Sequence, residues 1–166
     1  VLSRTVVSML YATGMRASEL LGLNVYDVDL GNSLVTVLGK RNKQRRIPML
    51  PELKLCIEDY LRVRAQVMKN GVDEDALFLS ERSGKRIGYG KLRLLVRESL
   101  GKVTMQSKRS PHVLRHSFAT SLLNNSADLQ SVKELLGHES LKTTAIYTHT
   151  TFEELKKLYN QAHPRA

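Results

Sequence analysis

The sequence predicts an α+β fold, mostly α, with one small three-stranded antiparallel sheet. Three observations carry that prediction. Apolar residues recur at helical spacing through much of the chain, as in LPELKLCIEDYLRVRAQVMK at 50–69. Two runs rich in β-branched and apolar residues, SLVTVL (33–38) and QRRIPML (44–50), flank a polar connector that begins GKRNK, the pattern of a hairpin. Glycine and proline fall where helices should start and stop.

Taken in order, VVSMLYATG (6–14) is a short apolar helix closed by Gly14, and RASELLGLNVYDVDL (16–30) begins a second that stops at Gly22 or soon after. The hairpin follows. The 50–69 helix carries Pro51 in its first turn, where the missing N–H costs nothing. ALFLS (76–80) is read as the third strand, and GYGKLRLLVRESL (88–100) as another helix. SPHVLRHSFATSLLNN (110–125) opens with Ser110 as N-cap and Pro111 at the first helical position. DLQSVKELLG (128–137), SLKTTAIYTH (140–149) and TFEELKKLYNQA (151–162) complete the helical set.

With 166 residues the chain is long enough for one domain with its own core. It has no apolar run of about 18 residues and no signal-peptide pattern, so no membrane partner is expected. It starts without Met and within an apolar periodic pattern, and is therefore expected to be part of something longer. The single cysteine, Cys56, excludes an internal disulfide and is read as a small core residue. That fits a reducing compartment, so the expected location is cytoplasmic. Lys and Arg number 26 against 16 acids, a formal charge of +10, which argues for a polyanionic partner and first of all for nucleic acid.

Four stretches hold residues suited to phosphate chemistry. In SPHVLRHSF, His112 and Arg115 share a helix face in the first turn, where free N–H groups and the helix dipole favour an anion. His112 and His116 have zinc-like spacing, but Val113 stands where a catalytic glutamate is needed and no further ligands cluster, so no metal is expected. In ATGMRASEL, Arg16 follows a helix-ending glycine, and Glu19 is placed to cap the next helix or orient a guanidinium. In LGKRNKQRRIP, five of the seven residues 40–46 are basic. A hairpin so charged suits a DNA backbone, with Arg41, Lys43, Arg45 and Arg46 as contacts. Finally, LLGHESLKTTAIYTHT (135–150) sets His138 after a helix-ending glycine and Tyr147 on the helix beyond. By itself that stretch also fits a helix–turn–helix with a packing tyrosine.

Together these pieces resemble the tyrosine recombinase family, the phage integrases, and among them the Xer-type recombinases. The matching motifs are T-G-x-R-x-S-E-L (13–20), G-K…R-x-I-P (39–48), S-P-H-x-L-R-H-S-F-A-T (110–120) and L-G-H-x-S-x-x-T-T-x-x-Y-T-H (136–149), in the family's order. The resemblance implies the family's helical catalytic domain over residues 1–166, with a core-binding domain expected ahead of it and 151–166 as a tail that docks on a neighbouring protomer. It implies site-specific DNA cleavage and rejoining through a 3′-phosphotyrosine. Tyr147 would be the nucleophile, with Arg16 and Arg115 clamping the phosphate and Lys40 as general acid. His112 would assist proton transfer, His138 would hydrogen-bond the phosphate and Glu19 would support the site. No cofactor is implied, and the partners would be double-stranded DNA and a homo- or hetero-tetramer on it.

The hairpin has Arg41 where the family often has glycine, and Lys43 is the second candidate for the acid. Chromosome dimer resolution and mobile-element integration both fit. The competing classes are a non-enzymatic helix–turn–helix module and a type IB topoisomerase-like or telomere-resolving enzyme.

Overall fold

The computed structural model describes residues 1–68, 73, 75–101, 110–112 and 115. Helix α1 spans Leu2–Thr13, and Leu2, Val6, Met9, Leu10 and Thr13 form its buried face at helical spacing. It ends because Gly14 turns left-handed (φ 64°) and returns its N–H to the Leu10 carbonyl at 3.0 Å. Thr13 closes the same turn. Its hydroxyl donates to the Met9 carbonyl at 2.6 Å and accepts the Met15 N–H at 3.3 Å. Helix α2, Ala17–Gly22, starts two residues later.

The sheet is antiparallel in the order β1 (Val28–Asp29), β2 (Leu34–Leu38) and β3 (Gln44–Pro48). Val35 faces Ile47 and Val37 faces Arg45 across the β2–β3 ladder. Helix α3, Pro51–Val67, buries Leu53, Cys56, Ile57, Tyr60 and Arg64. Helix α4, Tyr89–Gly101, buries Leu92, Leu95 and Val96. Helices α1, α3 and α4 close over one apolar cluster that also takes in Met15, Leu20, Val35, Val37, Ile47 and Phe78. Burial of this kind stabilises by about 25 cal/mol per Å² of apolar surface removed from water. Cys56 is a buried free thiol, as expected of a core residue. Among the described residues no helix is long and apolar enough to cross a membrane.

One expected element differs. The stretch 76–80 is not the third strand; that place belongs to Val28–Asp29, and 76–80 forms the isolated bridges Asn24–Ala76 and Leu79–Arg86 rather than a ladder. Ala76, Leu77, Phe78 and Leu79 are all buried in succession, so both sides of the stretch are covered. A continuous apolar run reads like a buried strand, and periodicity cannot separate the two. Backbone partners answer part of it, with the Leu77 N–H on the Leu23 carbonyl at 2.9 Å and the Ile87 N–H on the Phe78 carbonyl at 3.0 Å, and side chains answer another part. Arg64 donates from Nε and Nη2 to the Ala76 carbonyl at 2.9 and 2.7 Å, and the Leu79 N–H donates to the Tyr60 hydroxyl at 2.9 Å.

Candidate active site

The site grows out of the α1–α2 turn. With Gly14 left-handed, the chain reverses within three residues and sets Arg16 at the mouth of α2. Arginine has no acceptor, so Arg16 cannot cap α2 with its own side chain. Glu19 supplies the returning half of a capping box, its Oε2 accepting the Arg16 N–H at 2.7 Å. Its Oε1 lies 3.3 Å from Arg16 Nη1. Both roles expected of Glu19 are therefore filled by one carboxylate.

A third role was not foreseen. Arg45, from β3, forms a two-point fork on the same carboxylate, Nη1 to Oε1 at 2.7 Å and Nη2 to Oε2 at 2.9 Å. Both side chains are almost wholly buried, 7% and 3% exposed. This corrects the grouping of Arg45 with the DNA-facing residues of the hairpin: its guanidinium points inward to Glu19. The pattern of the strand contained the signal. Arg45 is two residues before buried Ile47, so it shares the inward face, while Gln44 and Arg46 are exposed. Lys40, Arg41 and Lys43 are exposed at the tip.

Burial alone would raise the Glu19 carboxyl. The hydrogen bonds and charge of Arg45, then those of Arg16, outweigh it and hold the group below its ordinary value of 4.5. Arg115 shows the reverse balance. It is 9% exposed, and its Nη1 donates to the Gly14 carbonyl at 2.6 Å. Burial first, then the charges of Arg16 and Arg45 against that of Glu19, bring its guanidinium from 12.5 down to about 10. It remains a cation at neutral pH, held at a cost that a bound anion would offset. The left-handed glycine thus ties the two expected phosphate clamps together: Arg16 follows it in the chain, and Arg115 is bound to its carbonyl.

His112 is exposed and directly follows Pro111 at the start of a helix, with Ser110 ahead of it as expected. His116, His138, Tyr147 and the tail 151–166 lie outside the described residues. The hairpin turn is closed by the Gly39 N–H to the Lys43 carbonyl at 2.8 Å. It places Arg41 and Asn42 both in the left-handed region at φ 57°.

Comparison with known proteins gives consistent matches. The model of the phage integrase family matches residues 1–154. The tyrosine recombinase XerC of Lactobacillus leichmannii is 45% identical over 164 residues, which cover 98% of this chain and 55% of that protein. XerD of Yersinia pestis is 43% identical over 163 residues, covering 98% of this chain and 54% of that protein. The chain spans about half the length of the curated relatives it matches. Among solved structures, the XerA recombinase superposes with a TM-score of 0.75 at 37% identity, covering 99% of this chain and 57% of that one. XerH bound to its difH substrate in a pre-cleavage complex gives 0.71 at 32%, covering 95% and 46%. The integrase of mycobacterium phage Brujita shares the fold, with a TM-score of 0.76 at 23% identity over 99% of this chain and 53% of that one.

Proposed function

The chain belongs to the phage integrase family, and from that premise we propose that it is the catalytic part of a Xer-type site-specific recombinase, which cuts and rejoins double-stranded DNA. The observation that carries this reading is the cationic corner at Gly14: two arginines from distant parts of the chain meet there, one of them buried to the point of losing basicity. A phosphodiester is the ligand such a corner suits. In the transition state charge concentrates on the non-bridging phosphoryl oxygens, and fixed guanidiniums answer it without reorganisation.

The reaction runs as a transesterification. The Tyr147 oxygen attacks phosphorus and forms the phosphotyrosyl bond as the bond to the 5′ oxygen breaks. Arg16 and Arg115 bind the non-bridging oxygens, with a hydrogen bond from His138. A free phenol has a pKa of about 10, so the positive pocket serves to favour the phenolate, and His112 helps take its proton. The departing 5′ oxygen receives a proton from Lys40 or Lys43 on the hairpin. Attack by a new 5′ hydroxyl reverses each step and returns the proton, so no nucleotide is consumed. Arg41, Lys43 and Arg46 meet the DNA backbone from the hairpin tip.

In the complete protein, a helical domain ahead of this one closes the clamp on DNA. The 151–166 tail docks on the next protomer of a tetramer in the cytoplasm. The relatives named tyrosine recombinase XerC and XerD support the Xer-type reading.

The test is a nicked suicide duplex incubated with the protein that carries this chain. A covalent adduct at the 3′ phosphate is expected, and none with Tyr147→Phe. Binding with no adduct on any candidate site would leave a DNA-binding module, and relaxation of supercoils without exchange between two sites would point to a topoisomerase.

A further inference from the structure

The buried Glu19–Arg45 fork lies between the two cation-bearing segments of the proposed site. On one side, Glu19 holds the Arg16 N–H and guanidinium. On the other, Arg45 sits in β3 just beyond the hairpin loop, opposite Val37. The base of that loop rests on the pair itself: a Cβ added at Gly39 would stand 3.5 Å from Glu19 Oε1, 3.7 Å from Arg45 Nη1 and 3.4 Å from the Lys43 carbonyl. The Gly39 N–H closes the loop on that same carbonyl. At the loop tip Lys40, Arg41, Asn42 and Lys43 are all exposed.

We propose that Arg45 is a positioning residue for proton delivery: through Glu19 it locks the base of the hairpin to the Arg16 turn, which fixes the hairpin lysine at the leaving 5′ oxygen. This rests on the recombinase reading above. The fork matters as well as the charge. Two parallel N–H···O bonds set the angle of the strand against α2, and a lysine in place of Arg45 would keep the cation but lose the angle. Gly39 is part of the same contact, because a Cβ there would already touch the carboxylate and the guanidinium at van der Waals distance.

A sulfur substitution tests this directly. With a 5′-bridging phosphorothioate the leaving group is a thiolate, which departs without a proton donor. Single-turnover adduct formation is measured on oxygen- and sulfur-bridged suicide duplexes for wild type, Lys40→Ala, Lys43→Ala, Arg45→Lys and Tyr147→Phe. The lysine whose loss is rescued by sulfur is the acid, and Arg45→Lys must share its pattern. It should be slower by about tenfold to a hundredfold on oxygen, a share of what general acid catalysis supplies, and close to wild type on sulfur. Equal slowing on both substrates, wild-type speed on oxygen, or rescue of neither lysine overturns the proposal. Should Arg45→Lys fail to fold, the neutral pair Glu19→Gln with Arg45→Met keeps the volume without a stranded charge and is held to the same two outcomes. Wild type giving no Tyr147-dependent adduct on either duplex would instead bring down the recombinase reading itself.

Discussion

Arg64 and Arg115 are both buried arginines that donate to backbone carbonyls, yet their surroundings differ. Arg64 projects from α3 and holds the Ala76 and Leu77 carbonyls at 2.7–3.2 Å, which pins the buried stretch 76–79 to the helix. Arg86 does likewise for the end of α2, donating to the Leu21 and Leu23 carbonyls at 2.8 Å each. These are structural clamps. Arg115 also holds a carbonyl, that of Gly14, but burial first and then the charges of Arg16 and Arg45 lower its basicity. A buried guanidinium is therefore no sign of a phosphate site by itself. The neighbouring like charges set Arg115 apart, and the proposed phosphate site rests on them because folding alone gives no reason to gather them.

The same substitution at both positions should break the symmetry most sharply. Arg115→Met should lower suicide-substrate cleavage by about a hundredfold to a thousandfold, as for loss of one donor to a developing oxyanion. Its thermal unfolding should change less than that of Arg64→Met, since relief of charge crowding and desolvation offsets part of what is lost with the bond to Gly14. Arg64→Met should do the reverse. Each carbonyl left without its donor costs about 1–3 kcal/mol, so the melting temperature should fall clearly while cleavage per folded molecule stays near wild type. A large activity loss at Arg64 without loss of stability would refute the division.

Acid titration separates the clamps from the site in a second way. The Glu19 carboxyl is held below 4.5 in the folded chain, despite burial, by Arg45 and Arg16. A depressed carboxyl contributes stability that is present above its unfolded pKa and lost as pH falls through the folded one. Stability of the wild type should therefore drop steeply as pH falls below about 4.5. Glu19→Gln should be less stable than wild type at pH 7 and should lose less on acidification. Urea midpoints read across that range check the slope. Asp29, also lowered by its Asn32 hydrogen bonds, remains in both proteins and sets the common background.

The hairpin shows where a sequence is legible and where it is not. The α1 stop at Gly14, the Glu19 cap and the β2–β3 pairing followed from local rules that need no partner. The inward turn of Arg45 was readable from its phase with Ile47, but five basic residues among seven drew attention to charge rather than to phase. The connector at 76–79 was not readable, because what distinguishes it from a strand is Arg64 and Tyr60 reaching it from another element. The meeting of Arg115 with Gly14, 101 residues apart, is likewise a product of packing. Only the family resemblance put the two on one phosphate beforehand.

Arg41 offers a smaller test. It occupies a left-handed conformation, φ 57° and ψ 32°, where the family often has glycine. A left-handed L residue costs about 1–2 kcal/mol, partly regained in the unfolded chain when glycine replaces it. Arg41→Gly should raise stability by up to about 1 kcal/mol by urea unfolding, and a fall would show that the arginine side chain is anchored in the fold.

The smallest effect distinguishes the two faces of β3. Arg46 is exposed and Arg45 is buried on Glu19, although they adjoin in sequence. If Arg46 meets a phosphate, Arg46→Gln should weaken DNA binding modestly and reduce the slope of log affinity against log salt by about 0.9. Arg45→Gln should leave that slope alone, because a guanidinium already committed to a carboxylate releases no counterion from DNA. Its effect should appear in unfolding instead, where the Glu19 charge loses its main partner. Equal salt slopes for the two variants would mean that Arg45 leaves Glu19 when DNA binds, and the fork would then be a feature of the free protein alone.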